Sequence, residues 1–393
     1  MINLFLFLSI AFLFTFIVGR LIEKIKIPWI FAALLFGFLL AAYNPFIEIT
    51  SSSTFAFLAQ LGMYFLLFII GFELDLNELK KRGRFIFKAT FFIILFEAFF
   101  GVLLVHFIFG YDWLISFIVA LSFATVGEVV LIPILDEFKI VNTKLGQSII
   151  GVGTLDNIIE ILVLICVMVL VGSSALVPHL NIVVVLVSLL SLFGLAFGLT
   201  KLKKESQKFA FSDIESLFLF VLFILFLFLA VGEYAYATPI AALLSGVALK
   251  TFIPNKRLEV IESDIKTMCY GFFAPIFFVW VGATMNIGYL VSYPLLILLV
   301  VAVSNGTKLL GSWIIGRKEF GAKQSILLGI GLSARFSTSI IIVKILFDNG
   351  LIGVGLYSVI VASSVVFNFI IPLLFSNLLV RWKVATAAGS SPS

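Results

Sequence analysis

Ala32-Ala33-Leu34-Leu35-Phe36-Gly37 returns 209 residues later as Ala241-Ala242-Leu243-Leu244-Ser245-Gly246, and that repetition decides the fold. Phe68-Ile69-Ile70-Gly71 faces Val279-Trp280-Val281-Gly282 at an offset of 211. Leu121-Ser122 and Ile134-Leu135 face Leu332-Ser333 and Ile345-Leu346 at the same offset. All these stretches lie inside long apolar runs, so the unit that repeats is a set of hydrophobic spans.

Working outward, 62% of the 393 residues are hydrophobic, 12% are charged and 46 are phenylalanine, with a mean hydropathy of +1.24. A soluble core cannot hide that much apolar surface. Runs of about 20 residues match the thickness of a bilayer, whereas a membrane β-barrel would alternate over segments of about 10. The chain reads as an all-α polytopic membrane protein with its lipid bilayer as first partner. Ile2 to Val18 has no basic residue before it and no small-residue cleavage site after it, so it reads as a membrane helix.

Thirteen spans are expected, at 2–19, 28–43, 54–72, 85–109, 113–135, 146–172, 181–199, 213–232, 236–251, 264–286, 291–316, 324–346 and 351–379. Loops with Arg20/Lys24/Lys26, Lys80/Lys81/Arg82/Arg84, Lys139/Lys144, Lys201/Lys203/Lys204, Lys256/Arg257 and Arg317/Lys318, and the tail with Arg381/Lys383, fall on one side. The intervening loops, Asn44 to Ser53, Gly110 to Asp112, Ser173 to Leu180 and Asp348 to Gly350, carry no Lys or Arg. The positive-inside rule then puts the N-terminus outside the cell membrane and the C-terminus in the cytoplasm. The net charge of +5 reports orientation and not nucleic-acid binding. Spans 1–6 recur as spans 8–13 around span 7, and because one copy starts outside and the other inside, the two six-helix repeats are inverted. That is the architecture of secondary transporters, with a substrate site near the midplane.

Glu97, Glu128, Asp156, Glu160, Lys308 and Arg335 sit near the middle of spans. A charge at that depth costs roughly 2.5 kcal/mol or more and points to an ion or proton pathway. All six lie on spans 4, 5, 6, 11 and 12. Two subdomains follow: a panel from 1–84 and 213–290, and a polar core from 85–172 and 291–380, with a linker helix in 173–212 and a disordered tail at 381–393.

Span 5 reads Phe123-Ala124-Thr125-Val126-Gly127-Glu128, and span 12 reads Gly331-Leu332-Ser333-Ala334-Arg335-Phe336-Ser337-Thr338-Ser339. Small hydroxyl residues, a glycine and a charge at mid-depth suit a discontinuous helix, whose freed backbone groups need other partners. Glu128 and Arg335 are candidates to neutralise the half-helix ends. The alternative is that Ser and Thr bond the preceding turn inside unbroken helices.

Span 6 carries Gly151-Val152-Gly153-Thr154-Leu155-Asp156-Asn157-Ile158-Ile159-Glu160. Asp156 and Glu160, four apart, share a face, and carboxylate and amide oxygens are hard ligands that can replace a small cation's hydration shell. Lys308 is the one mid-span lysine of the other repeat. An Asp156–Lys308 pair could trade a proton for a cation or be a static structural pair. Sequence gives Glu97 no evident partner.

Leu61-Gly62-Met63-Tyr64-Phe65-Leu66-Leu67-Phe68-Ile69-Ile70-Gly71-Phe72-Glu73-Leu74-Asp75 and Gly271-Phe272-Phe273-Ala274-Pro275-Ile276-Phe277-Phe278 resemble signatures of the third and tenth spans of the monovalent cation:proton antiporters, in the branch of NapA and the Kef transporters. The resemblance covers all thirteen spans. It implies crossed broken helices, an aspartate-bearing sixth span, a lysine partner on span 11, an elevator-like movement of the core, and a homodimer through spans 1–3 and 8–10. Sodium-transporting members carry Asp-Asp on span 6. Here Asp156 aligns with the first and Asn157 with the second, the other register fitting Ile158-Ile159 less well. Glu128 and Glu160 are the acids that could make up the difference. Phe336-Ser337 also stands where relatives often have Gly-Glu.

The expectation is exchange of a monovalent cation, sodium first, for protons. Asp156 is the shared site and Lys308 its partner, Thr125, Asn157, Glu128 and Glu160 surround the ion, and Arg335, Gly127, Ser333 and Ser337 form the helix breaks. Asp156 and Asn157 would ligate Na+ or K+. The alternatives are a Kef-type potassium/proton antiporter without its regulatory domain and an antiporter-like sensor that does not transport. No nucleophile–base pair, zinc or haem spacing, or G-x-G-x-x-G motif points to an enzyme or a cofactor. Cys166 and Cys269 lie in apolar runs, and His106 and His179 near the outer surface read as incidental.

Overall fold

The computed structural model describes residues 4–24, 29–73, 83–124, 126, 135, 140, 143–173, 182–201, 214–234, 237–253, 255–333 and 337–382. Within them, the chain is helical and shows no strand. The helices are α1 (Leu4–Glu23), α2 (Phe31–Ala42), α3 (Ser53–Glu73), α4 (Arg84–Phe109), α5 (Trp113–Ala124), α6 (Lys144–Ser173), α7 (Ile182–Lys201), α8 (Ile214–Tyr234) and α9 (Thr238–Phe252). Asn255–Met268, a π-turn at Cys269–Phe273 and Ala274–Ala283 continue one another as α10. Pro294–Leu332, Ser337–Asp348 and Val354–Arg381 are α11, α12 and α13. Six of the helices are long and apolar enough to cross a membrane by length and composition.

Helix ends follow local chemistry. Gly110 takes a left-handed φ of 73° to close α4, its N–H bonding to His106 O. Asn286 caps the short helix Ile287–Ser292 by accepting from Tyr289 N–H at 2.8 Å. Pro239 and Pro294 stand in the first turns of α9 and α11, where their missing N–H costs nothing. In α10, Pro275 cannot bond back to Gly271, and the wider turn just before it, with Ala274 N–H on Cys269 O, absorbs the break.

The chain divides into two compact units. One holds residues 1–15, 33–75 and 164–283; the other holds 16–32, 76–163 and 284–393. In the first unit helices touch backbone to backbone through glycines. A Cβ on Gly71 of α3 would lie 2.1 Å from Leu243 O of α9, and one on Gly246 of α9 would lie 2.1 Å from Phe68 O of α3. Between α2 and α10, a Cβ on Gly37 would lie 2.2 Å from Val279 O, and one on Gly282 would lie 2.4 Å from Leu34 O. Between apolar helices in an apolar solvent, such close approach supplies the packing that the hydrophobic effect cannot.

The second unit is organised by a helical hairpin inside α11, which leaves helical geometry at Gly321 (φ 76°, ψ 171°). Its two arms run antiparallel: Gly316 meets Ser325, and a Cβ on Gly329 would lie 2.9 Å from Leu309 Cα. Helix α4 runs alongside the first arm, with Gly311 facing Ile93 and Phe96 and Phe320 stacked edge-on to Phe85 at 5.2 Å. Val126, Val152, Leu327, Leu332, Phe367 and Phe375 belong to one buried apolar cluster of this unit.

Candidate ion site in the second unit

The hairpin brings Lys308, on its outgoing arm, beside the end of its returning arm. Helix α11 stops at Leu332, and its last carbonyls lack helical acceptors' usual partners. Two side chains take them over. Ser333 Oγ donates to Gly329 O at 2.8 Å, and Lys308 Nζ donates to Leu332 O at 2.8 Å. An ammonium at a helix C-terminus also meets the negative end of the helix dipole. The next described helix, α12, begins at Ser337.

Lys308 is fully buried, and its second recorded partner is an acid from α4. Glu97, also 0% exposed, puts Oε2 3.3 Å from Lys308 Nζ, and Ser304, one turn before Lys308 on α11, donates its hydroxyl to Glu97 Oε1. Sequence reasoning left Glu97 without a role. The two helices are about 200 residues apart in the chain, and the only readable signal was one unexplained acid on one span and one lysine on another.

Asp156 is the mid-helix acid of α6 and is 0% exposed. Its Oδ2 accepts the backbone N–H of Val126 at 2.5 Å, just past the end of α5 at Ala124. The carboxylate thus takes a backbone donor outside the helical ladder, while Lys308 takes a carbonyl at the C-terminus of α11. Val126 and Leu332, the two backbone partners, both belong to the apolar cluster named above, and Asp156 and Lys308 are each fully buried.

The other expected residues fall as follows. Ser333 is the cap of α11. Asn157, Glu160 and Ser337 take helical backbone positions in α6 and α12, their side chains outside what is described. Thr125, Gly127, Glu128 and Arg335 lie outside the described residues. Lys344 is buried and paired with Asp348 one turn on. Among the described residues, no group of three or more His, Cys, Asp or Glu is arranged to hold a resident metal.

A chain with these features has known relatives. The profile of the family described as sodium/hydrogen exchanger, transmembrane, matches residues 9–381. The probable Na(+)/H(+) antiporter 3 of Methanocaldococcus jannaschii is 28% identical over 387 residues, covering 96% of this chain and 96% of its own. The Na(+)/H(+) antiporter of Enterococcus hirae is 28% identical over 80% of this chain and 82% of its own. The glutathione-regulated potassium-efflux protein KefC of Klebsiella pneumoniae is 25% identical over 68% of this chain, which is 43% of that protein. The solved structure of the sodium proton antiporter MjNhaP1 from M. jannaschii at pH 8 superposes with a TM-score of 0.66 over 98% of this chain and 97% of its own, at 19% identity, and shares the fold. Taken with the buried apolar helices, the match over nearly the whole length makes this chain an integral membrane protein that belongs to the sodium/hydrogen exchanger family.

Proposed function

We propose that the protein exchanges a monovalent cation, sodium first, for protons, with Asp156 as the site that both ions share. The observation that carries this reading is a fully buried carboxylate that accepts the backbone N–H of Val126, two residues past the end of α5. A proton neutralises that carboxylate by bonding to it. A dehydrated alkali cation does the same with oxygen ligands, for which Asn157, Thr125, Glu128 and Glu160 are at hand in sequence. The two loads exclude each other, so a proton gradient drives cation movement without any covalent chemistry. Lys308 is the partner charge, and Arg335 serves the break near Ser333 and Ser337 as Glu128 serves the one at Gly127.

Alternating access is an elevator movement of the unit that carries α4, α5, the Asp156 part of α6, α11, α12 and α13. Support comes from how tightly that unit is tied within itself, through Lys308 to both α4 and the returning arm of α11. The thirteen-span inverted repeat is supported by the glycine contacts. Gly37 and Gly246 are equivalent in the two copies, as are Gly71 and Gly282, and the α2–α10 pair repeats the α9–α3 pair under a two-fold exchange. The loop charges support an outside N-terminus. A homodimer through α1–α3 and α8–α10 is part of the same reading, with the outward Phe5, Leu13, Phe16, Leu219 and Phe223 as apolar surface for lipid or a second copy.

The test is reconstitution in liposomes with a preset pH gradient and a pH-sensitive dye. Sodium addition is expected to collapse the gradient, and Asp156→Asn to remove the response. Silence toward every alkali cation from folded protein rejects exchange, and full activity in Asp156→Asn rejects the site. A potassium arm separates the second reading, a potassium/proton exchanger, which the likeness to KefC favours.

A further inference from the structure

One end of the second unit carries positive charge that the protein itself leaves unmatched. Arg84 and Lys88 lie in the first turns of α4, Arg317 and Lys318 follow Gly316 on the outgoing arm of α11, and Lys323 stands just past the turn at Gly321. All five are exposed, and none takes part in an ion pair among the described residues. Lys144 is the contrast, since Glu319 cancels its charge at 2.8 Å. The Phe85 ring against Phe320 at 5.2 Å holds the start of α4 beside the hairpin turn, so these cations crowd one end of the unit. Crowded like charges build a positive potential that draws anions. We propose that this end is a seat for the headgroup of an anionic phospholipid, with the acyl chains along the outward faces of α4 and α11.

Two features select a lipid over other anions. The first is that the cations stand where apolar stripes end. Phe87 and Phe91 follow Arg84 and Lys88 on α4, and Leu310 and Ile314 precede Arg317 on α11, at the spacing of a helix face. All four apolar side chains are exposed. A phosphate carrying hydrocarbon tails matches that succession of surfaces, whereas a free phosphate or an acidic peptide matches only its charged part. The second feature is Trp313, exposed at the junction, whose ring lies 4.8 Å from the Arg317 guanidinium. Indoles settle at the level of lipid headgroups, and the stacking orients a guanidinium whose N–H fork suits a phosphate. A cluster of about four to eight basic residues beside a membrane helix is the pattern by which anionic lipids are recognised. The homodimer proposed above uses α1–α3 and α8–α10, which leaves α4 and α11 to the bilayer.

The experiment is native mass measurement on the full chain in neutral detergent, titrated with phosphatidylglycerol. Phosphatidylcholine is the neutral lipid, and inorganic phosphate and polyglutamate are the anions without tails. Saturable binding of phosphatidylglycerol, about tenfold or more tighter than that of phosphatidylcholine, is expected, with neither tail-free anion displacing it. Arg317→Gln should weaken that binding by about fivefold, the scale of one cation at an anionic surface. Glu319→Gln, which frees the Lys144 charge, should tighten it. Lys201→Gln is the control and should change nothing, because Lys201 is an exposed cation over the Phe197 ring at the end of α7, in the other unit. Each variant is first checked for the melting temperature of a folded chain. Equal affinity for the two lipids overturns the proposal, as does displacement by phosphate or polyglutamate. So does an unchanged affinity in Arg317→Gln, or an unchanged or weaker one in Glu319→Gln. A loss in Lys201→Gln as large as that in Arg317→Gln overturns it too, since the attraction is then to the net charge of the chain and not to a seat.

Discussion

Alanine at any of Gly37, Gly71, Gly246 and Gly282 should destabilise the protein, and the four effects should fall into two matched pairs. The perturbation is one methyl group. On Gly246 it would stand 2.1 Å from Phe68 O and 2.6 Å from Phe72 N; on Gly37, 2.2 Å from Val279 O and 2.9 Å from Ala283 N. All these neighbours are backbone atoms, so no side chain can swing aside, and the helix axes must part by about 1 Å to restore ordinary contact. Overpacking of that kind costs about 1–3 kcal/mol, against which alanine returns roughly 1 kcal/mol of helix propensity. The net expectation is a loss of about 1–2 kcal/mol, a few degrees in melting temperature. Gly194 in α7 is the control, because a Cβ there meets nothing within 4 Å, and alanine should raise the melting temperature. The assay is the monodisperse fraction remaining after heating in detergent. Under a two-fold relation, Gly37→Ala should rank with Gly246→Ala and Gly71→Ala with Gly282→Ala. If any of the four melts at or above wild type while Gly194→Ala behaves as stated, the close approach is wrong. If the ranking separates α2/α10 from α3/α9 instead, the equivalence of the copies is wrong.

Gly321→Ala tests the hairpin of α11. There is open space around it, so the expected loss of about 1–2 kcal/mol comes from the left-handed backbone at φ 76° alone, read as a lower melting temperature without altered exchange. Glu319→Gln removes a 2.8 Å contact to Lys144, but the two side chains are 46% and 63% exposed. Its effect on stability is expected to stay below about 1 kcal/mol and to vanish in high salt, and a larger one would show that the pair is shielded from solvent.

The bounds of the membrane helices were legible wherever an apolar run ended on a charge or a glycine. Span 85–109 and helix Arg84–Phe109 differ by one residue because Gly83 and Gly110 mark both ends. Helix α10 was placed to begin at 264 and begins at Asn255, since Lys256, Arg257, Glu259, Glu262 and Asp264 make that part too polar for hydropathy to count, although it is helical. The candidate site was half legible. A lone acid such as Asp156 among hydrophobic residues announces itself. The pairing of Glu97 with Lys308 was not legible, because it depends on which helix lies against α11, and no periodicity within either helix carries that information. The backbone partners of Asp156 and Lys308, at Val126 and Leu332, were unreadable for the same reason.

The π-turn at Cys269–Phe273 has a consequence for how α10 is aimed. A wide turn takes up one residue more than an α-turn, and one residue is about 100° of rotation. Ala274 to Ala283 are therefore set at an azimuth that a regular helix from Asn255 would not give them. Were the turn to tighten, Gly282 would swing off Leu34 and present a neighbouring side chain to the α2 backbone, where even a methyl group is too large. Pro275, by forbidding the regular ladder at that point, acts as the detent that keeps the two ends of α10 in phase with their different neighbours.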